Sequence, residues 1–238
     1  MAKAHGEWKV LPHGPLERLA ENLWWVQGSL PSMSLKRVMT IAKLPDATLV
    51  IHNGIALQQP AMHELEAFGT PAYLIVPNGM HRLDAAAYKQ RYPQLKVFAP
   101  KGSRKKVQAV VPVDGTFEDF PREASVQLEA LQGVADSEGV MLVHSSDGLS
   151  VVLTDAVFNM DRKRDVLGFV FTTLLGSAPG PRVSRLAKLA LIKDKAALRA
   201  DLQRLADKPD LVRLVVAHEK VASGPAAREA LQQAMTYL

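Results

Sequence analysis

Residues 71–88, Pro-Ala-Tyr-Leu-Ile-Val-Pro-Asn-Gly-Met-His-Arg-Leu-Asp-Ala-Ala-Ala-Tyr, narrow the choice of folds more than any other stretch. A short apolar run stops at Pro77-Asn78-Gly79, and a helical pattern begins a few residues later. That is a strand delivering a polar loop onto a helix start. Open α/β sheets bind ligands at such strand ends, so Asn78, His81, Arg82 and Asp84 become the first candidates for a site.

The flanking segments extend the pattern. The cluster Leu23-Trp24-Trp25-Val26, ended by Gly28 and Pro31, precedes two β runs, 37–44 and 48–52, whose short connection through Pro45-Asp46 predicts a hairpin. Apolar residues at Met62, Leu65 and Phe68 have helical spacing, with Gly69 as the stop. After the 71–76 strand, 83–92 reads as a helix, 95–99 as a strand and 101–111 as a helix or turn, giving a β-β-α-β-α-β order. The second half opens with three β runs, 126–131, 139–144 and 149–154, the last two joined at Asp147-Gly148, a strong hairpin signal. A basic segment, a helix over 196–206, a strand over 212–217 ending on His218, and a helix from Pro225 to Tyr237 complete the chain.

With 238 residues and 47% hydrophobic content the chain can bury a sizeable core. It has no cysteine, which excludes disulfides and thiolate zinc sites, so any metal must draw on the seven histidines and the carboxylates. No apolar run approaches the roughly 18 residues a membrane span needs, and the first eight residues lack the apolar core of a signal peptide; the expected location is cytoplasmic. Residues 161–195 carry eight basic and three acidic side chains, an excess equal to the whole net charge of +5.

Three local motifs resemble the metallo-β-lactamase superfamily. Tyr73-Leu-Ile-Val-Pro-Asn-Gly-Met-His-Arg-Leu stands where that superfamily has an apolar strand followed by Thr-His-x-His-x-Asp-His. Val152-Leu-Thr-Asp155 resembles the end of its aspartate-bearing strand, and Val215-Val-Ala-His218 its last strand with a terminal histidine. A narrower resemblance, through Arg37-Val-Met-Thr, Leu49-Val-Ile-His, Pro77-Asn78-x-x-His81, Tyr92-Pro93 and Thr154-Asp155, is to an uncharacterised metallo-β-lactamase-like group. The resemblance implies a four-layer αββα sandwich, one domain over 1–238, with a basic lid-like insertion at about 160–195 whose apolar face is buried on the domain.

In such proteins one loop supplies ligands to two adjacent ions, which polarise the substrate and acidify a bridging water. Aligning Pro77 with the motif's threonine puts Asn78, Met80, Arg82 and Leu83 in the four ligand slots, none a usual zinc ligand, with His81 one position out of phase. Arg82 would bring a fixed positive charge to the place of a dication. Asp155 and His218 match the bridging-carboxylate and last-histidine slots, whereas 131–133, where a further histidine is expected, has none. His144 falls at the far end of the hairpin from Asp155, roughly 15–20 Å away at about 3.3 Å per residue.

The expectation is therefore a degenerate metal site in a non-catalytic or ligand-binding protein, with no resident cofactor. The alternative is a hydrolase with a mononuclear or atypical site, using either one metal ion, zinc or iron, or a metal-free arrangement, and it requires His81, Asp155 and His218 to converge within about 4–5 Å. Asp84 is expected to stabilise a helix N-terminus, His52 to be structural, His63 to lie at the surface, and Trp24 and Trp25 to pack in the core. A small or anionic ligand is the expected partner. Arg182, Arg185 and Lys188 at three-residue spacing suggest a cationic helix edge able to meet an anionic membrane surface, while the lack of aromatics among the charges argues against nucleic acid.

Overall fold

The computed structural model describes residues 4–238, so the first three residues of the expected 1–238 domain lie outside it. The first sheet has the order β1-β2-β3-β4-β5-β6: β1 (Glu17–Ala20), β2 (Leu23–Leu30), β3 (Met33–Lys43), β4 (Thr48–His52), β5 (Thr70–Ile75) and β6 (Lys96–Phe98). β1 to β4 are antiparallel neighbours, and β4, β5 and β6 run parallel. The change of direction follows from the connections. α1 (Gln59–Phe68) carries the chain from β4 back to the start of β5, and α2 (Ala85–Arg91) carries it from β5 to β6. Such a return crossover is what parallel pairing needs.

α1 ends at Gly69, whose N–H bonds the Leu65 carbonyl, but not in the left-handed conformation of a usual glycine cap. Glycine is needed there for space: a Cβ would lie 2.4 Å from the Ala47 carbonyl oxygen, where helix and β4 converge. α3 (Arg104–Gln108) follows β6.

The second sheet has the order β11-β10-β9-β8-β7, from β7 (Val126–Ala130), β8 (Gly139–Ser145), β9 (Gly148–Leu153), β10 (Leu211–Val216) and β11 (Ala222–Ser223). β8 and β9 form the expected hairpin, with Gly148 at φ +134°. β10 pairs with β9 in parallel, Leu153 against Val216. Between them lie α4 (Val166–Phe169), which runs on into a wider π-helical turn (Val170–Leu174), then α5 (Arg185–Ala190) and α6 (Lys195–Ala206); α7 (Pro225–Met235) closes the chain.

The layers follow from which side chains alternate to which face. Val38, Val50, Ile75 and Phe98 of the first sheet meet Val126, Met141, Val152 and Val215 of the second in an inter-sheet core. The first sheet's other face buries Met39, Ile41, Ile51 and Leu74 against Met62 and Leu65 of α1 and Tyr88 of α2. The second sheet's other face packs Leu142, Val151 and Leu214 against Leu198, Leu202 and Leu231 of α6 and α7. The result is the expected four-layer αββα sandwich. Trp24 and Trp25 follow the alternation, Trp24 stacking on Phe68 at 4.0 Å on the helix side and Trp25 joining the inter-sheet core. Among the described residues no helix is long and apolar enough to cross a membrane.

Two expectations about the basic segment need correction. The apolar run at 167–175 buries only part of its apolar face: Gly168, Phe171 and Thr172 lie inward, while Leu167, Phe169, Val170 and Leu174, with Val166 just before them, are exposed. The helix begins late enough, at Arg185, that Arg182 lies outside it, over the Tyr237 ring, and Lys188 bonds the Tyr237 carbonyl. Two of the three cations of the supposed edge are thus engaged with the C-terminal residues.

Candidate metal centre

Asp155 and His218 lie side by side because each follows a strand of one parallel pair. With Leu153 level with Val216, the residues two positions beyond each strand are level as well. His81 comes from the other sheet, in the loop after β5. Its Nε2 lies 3.0 Å from Asp155 Oδ1, and His218 Nε2 lies 3.4 Å from the same oxygen. The three side chains each offer one ligand atom, all within 4.8 Å of one another, which meets the convergence condition.

Both imidazoles are oriented from behind. His218 Nδ1 is 2.9 Å from the Lys36 carbonyl, to which it can only donate. His81 Nδ1 is 3.2 Å from Asn53 Oδ1, and the Asn53 amide is turned so that its Nδ2 donates to the Val38 carbonyl. With Nδ1 engaged by an acceptor in each ring, Nε2 is the atom left to face Asp155, where it can donate to the carboxylate or, on giving up its proton, offer a lone pair to an ion. Phe158 stacks on His218 at 5.5 Å and Phe171, from the turn after α4, approaches it at 6.3 Å.

Asn78 explains how His81 reaches the site from one position out of phase. Its Oδ1 accepts the N–H groups of Met80 (2.8 Å) and His81 (3.0 Å), folding the loop into a compact turn. Its Nδ2 donates to Asp155 Oδ2 at 2.8 Å. One side chain thus shapes the loop and occupies the carboxylate oxygen that the histidines leave.

Arg82 does not enter the site. Its guanidinium turns outward to the Lys106 carbonyl, so the expected repulsion of a cation is absent. Asp84 is also elsewhere. It holds the N-cap position of α2 without a side-chain cap bond; its carboxylate accepts instead from Arg37 Nη2 (2.5 Å), His5 Nδ1 (2.7 Å) and the Ala56 N–H (3.0 Å). Burial explains the difference: a fully buried carboxylate is held by a fixed cation in preference to a helix end. Of the six candidates, Asn78, His81, Asp155 and His218 come together and Arg82 and Asp84 do not. His144 is remote, half-exposed beside Asp210, and His63 is at the surface.

Glu138 escaped the sequence reading. It is fully buried, its Oε1 accepting the N–H groups of Thr154 (3.1 Å) and Ala156 (3.0 Å) on either side of Asp155, with Oε2 3.4 Å from Asn78 Nδ2. A lone glutamate in Asp-Ser-Glu-Gly reads as a solvated turn, and nothing in its spacing marks it. Burial, then the charge of Asp155, push its carboxyl up to about 8. Burial also acts to raise Asp155, but His81 and His218 outweigh it and hold that carboxyl well below the usual range. Burial and then His81 push His52 down to about 3.

The donor set fits a divalent ion. Tetrahedral bonds of about 2.0–2.1 Å separate ligand atoms by about 3.4 Å, close to the separations of Oδ1 from the two Nε2 atoms. Two imidazoles and a carboxylate suit zinc or iron, and the atoms opposite the ion are already fixed by acceptors.

The overall architecture has clear relatives among solved structures. The metallo-β-lactamase from Erythrobacter litoralis superposes with a TM-score of 0.64 at 14% identity, covering 97% of this chain and 100% of that one. Those from Pontibacter korlensis (TM-score 0.62, 11% identity, 95% and 98% covered) and Hirschia baltica (0.62, 11%, 94% and 98%) agree with it. This chain has the metallo-β-lactamase fold. No protein-family model and no curated protein sequence matches it, so the narrower resemblance rests on its short motifs.

Proposed function

We propose that the protein is a one-metal member of this fold, a hydrolase that binds a single zinc or iron ion through His81 Nε2, Asp155 Oδ1 and His218 Nε2. The observation that carries the reading is the orientation of the two histidines: each Nδ1 faces a fixed acceptor, and each Nε2 points at the same carboxylate oxygen. A second ion is disfavoured because Asn78 donates to Asp155 Oδ2, and because Met80, Arg82 and Leu83 offer no ligands. An ion held by these three residues would polarise a carbonyl or phosphoryl oxygen and acidify a water.

The chain's own groups keep that arrangement ready. Asn53 and the Lys36 carbonyl hold the Nδ1 protons, Glu138 fixes the backbone on both sides of Asp155, and Phe158 limits water around His218. The similar structures are named metallo-β-lactamases, which supports a hydrolytic reaction.

The cover of Phe158 and Phe171 supports a second reading, in which the same centre holds its ion or a small anion without turnover. The test is metal content of protein purified without chelator, followed by hydrolysis of a panel of nitrophenyl esters and phosphodiesters. The expected result is about one equivalent of metal, lost in His81→Ala and His218→Ala, with hydrolysis removed by chelator and restored by the ion. Metal without hydrolysis would select the second reading; absence of metal binding, even on adding zinc, would refute the hydrolase and leave only the anion-holding form of the second.

A further inference from the structure

The helix over residues 166–174 is turned inside out relative to an ordinary surface helix. Gly168, Phe171 and Thr172 face the protein, and Asp165 caps the first turn by accepting from the Gly168 N–H and ties it to Ser34. Outward stand Val166 (80% exposed), Leu167 (48%), Phe169 (46%), Val170 (37%) and Leu174 (56%). Five large apolar side chains side by side on two turns form a patch, which marks a surface built to be covered.

The charge around it limits what can cover it. Arg162 and Arg164 immediately precede the helix, and Arg185 sits at its far end, where its N–H bonds the Leu175 carbonyl and its stem lies against Gly176. Among the described residues, Arg162, Arg164 and Arg185 take part in none of the ion pairs. The nearby acids are already occupied, Asp161 by Lys220, Asp165 by the helix cap and Ser34, and Glu219 by Lys163. An apolar face bracketed by unmatched guanidinium groups repels a second copy of itself. It complements a plane that is apolar within and anionic at its edge.

We infer that residues 166–174 dock the protein onto an anionic lipid bilayer, the five apolar side chains entering the acyl boundary and Arg162, Arg164 and Arg185 meeting headgroup phosphates. This places the contact on the apolar helix rather than on Arg182 and Lys188. It does not depend on metal binding, although Phe171 of the same helix lies against His218.

Co-sedimentation of the full chain with phosphatidylcholine vesicles, with and without phosphatidylglycerol, tests it. The expected result is sedimentation with the phosphatidylglycerol vesicles, weakened by salt and by Arg162→Glu/Arg164→Glu. Leu167→Ser/Phe169→Ser should cut it by at least about tenfold, since burying one large apolar side chain supplies that much. Those side chains are exposed, so an unchanged melting temperature checks that the fold persists. Failure to sediment, or sedimentation indifferent to Leu167→Ser/Phe169→Ser, overturns the inference. A dimer in light scattering that the same substitutions dissolve would assign the patch to a second copy and overturn it too.

Discussion

Asp84 and Asp155 are both buried carboxylates with a histidine within 3.0 Å, yet they behave as opposites. Asp84 is matched by Arg37, His5 and the Ala56 N–H. Asp155 is matched by two imidazoles and the Asn78 amide. The guanidinium has donors only and does not give up its charge, so Asp84 is permanently paired and closed to a cation. Imidazole can lose a proton and offer a lone pair, so the groups that balance Asp155 are also the ones that can hold an ion with it. Partner identity, more than the presence of an acid and a histidine, separates a structural ion pair from a ligand set.

The largest test of that contrast is Asp84→Ala, which strands Arg37 in the core and should cost about 3–5 kcal/mol in denaturant unfolding. The corresponding Asp155→Ala in chelated buffer should cost much less, because it strands no permanently charged guanidinium; equal losses would erase the distinction. Next comes the ion itself. Zinc at about a hundred times its dissociation constant should stabilise the wild type by about 2.7 kcal/mol and leave Asp155→Ala and His218→Ala unmoved, read from the same unfolding curves.

Asn78→Ala sharpens the comparison, since it removes the amide that positions Asp155 and shapes the His81 turn while leaving all three ligands in place. Zinc affinity by calorimetry should fall about 10–100-fold, without change in stoichiometry. The smallest effect concerns His52, a buried imidazole pushed down to about 3. The unfolded chain takes up a proton at that position below about pH 6.5 and the folded chain does not, so the stability present above that pH is lost as pH falls toward 3. Between pH 6.5 and 5 the loss from this group is about 1.5 kcal/mol, and His52→Leu should remove that part of the acid slope in chelated buffer.

The sandwich was legible because its signals are local. Alternation marked the strands, Asp147-Gly148 the hairpin and Pro225 the last helix, and each of these stands where its chemistry requires. Glu17–Ala20 went unread, since a four-residue edge strand with one buried side chain carries almost no pattern. Asp155 and His218 were readable from their strand ends. His81 was harder, because an aligned motif assumes one loop conformation, and the turn made by Asn78 moves every later side chain. Glu138, and the pairing of Asp84 with Arg37, arise from packing between segments 16 and 47 residues apart, a separation at which no spacing rule speaks. The outward apolar face at 166–174 was misread for a related reason: composition says that a segment is greasy, and only its anchors, Asp165 and Thr172, say which way it turns.

His81 descends from the first sheet, while Asp155 and His218 descend from the second. A cation gripped by all three would rivet the amino-terminal half of the polypeptide to the carboxy-terminal half. Neither half could take up that cation alone, so loading with metal would report that the two had met, and its removal should loosen their seam before either sheet comes apart.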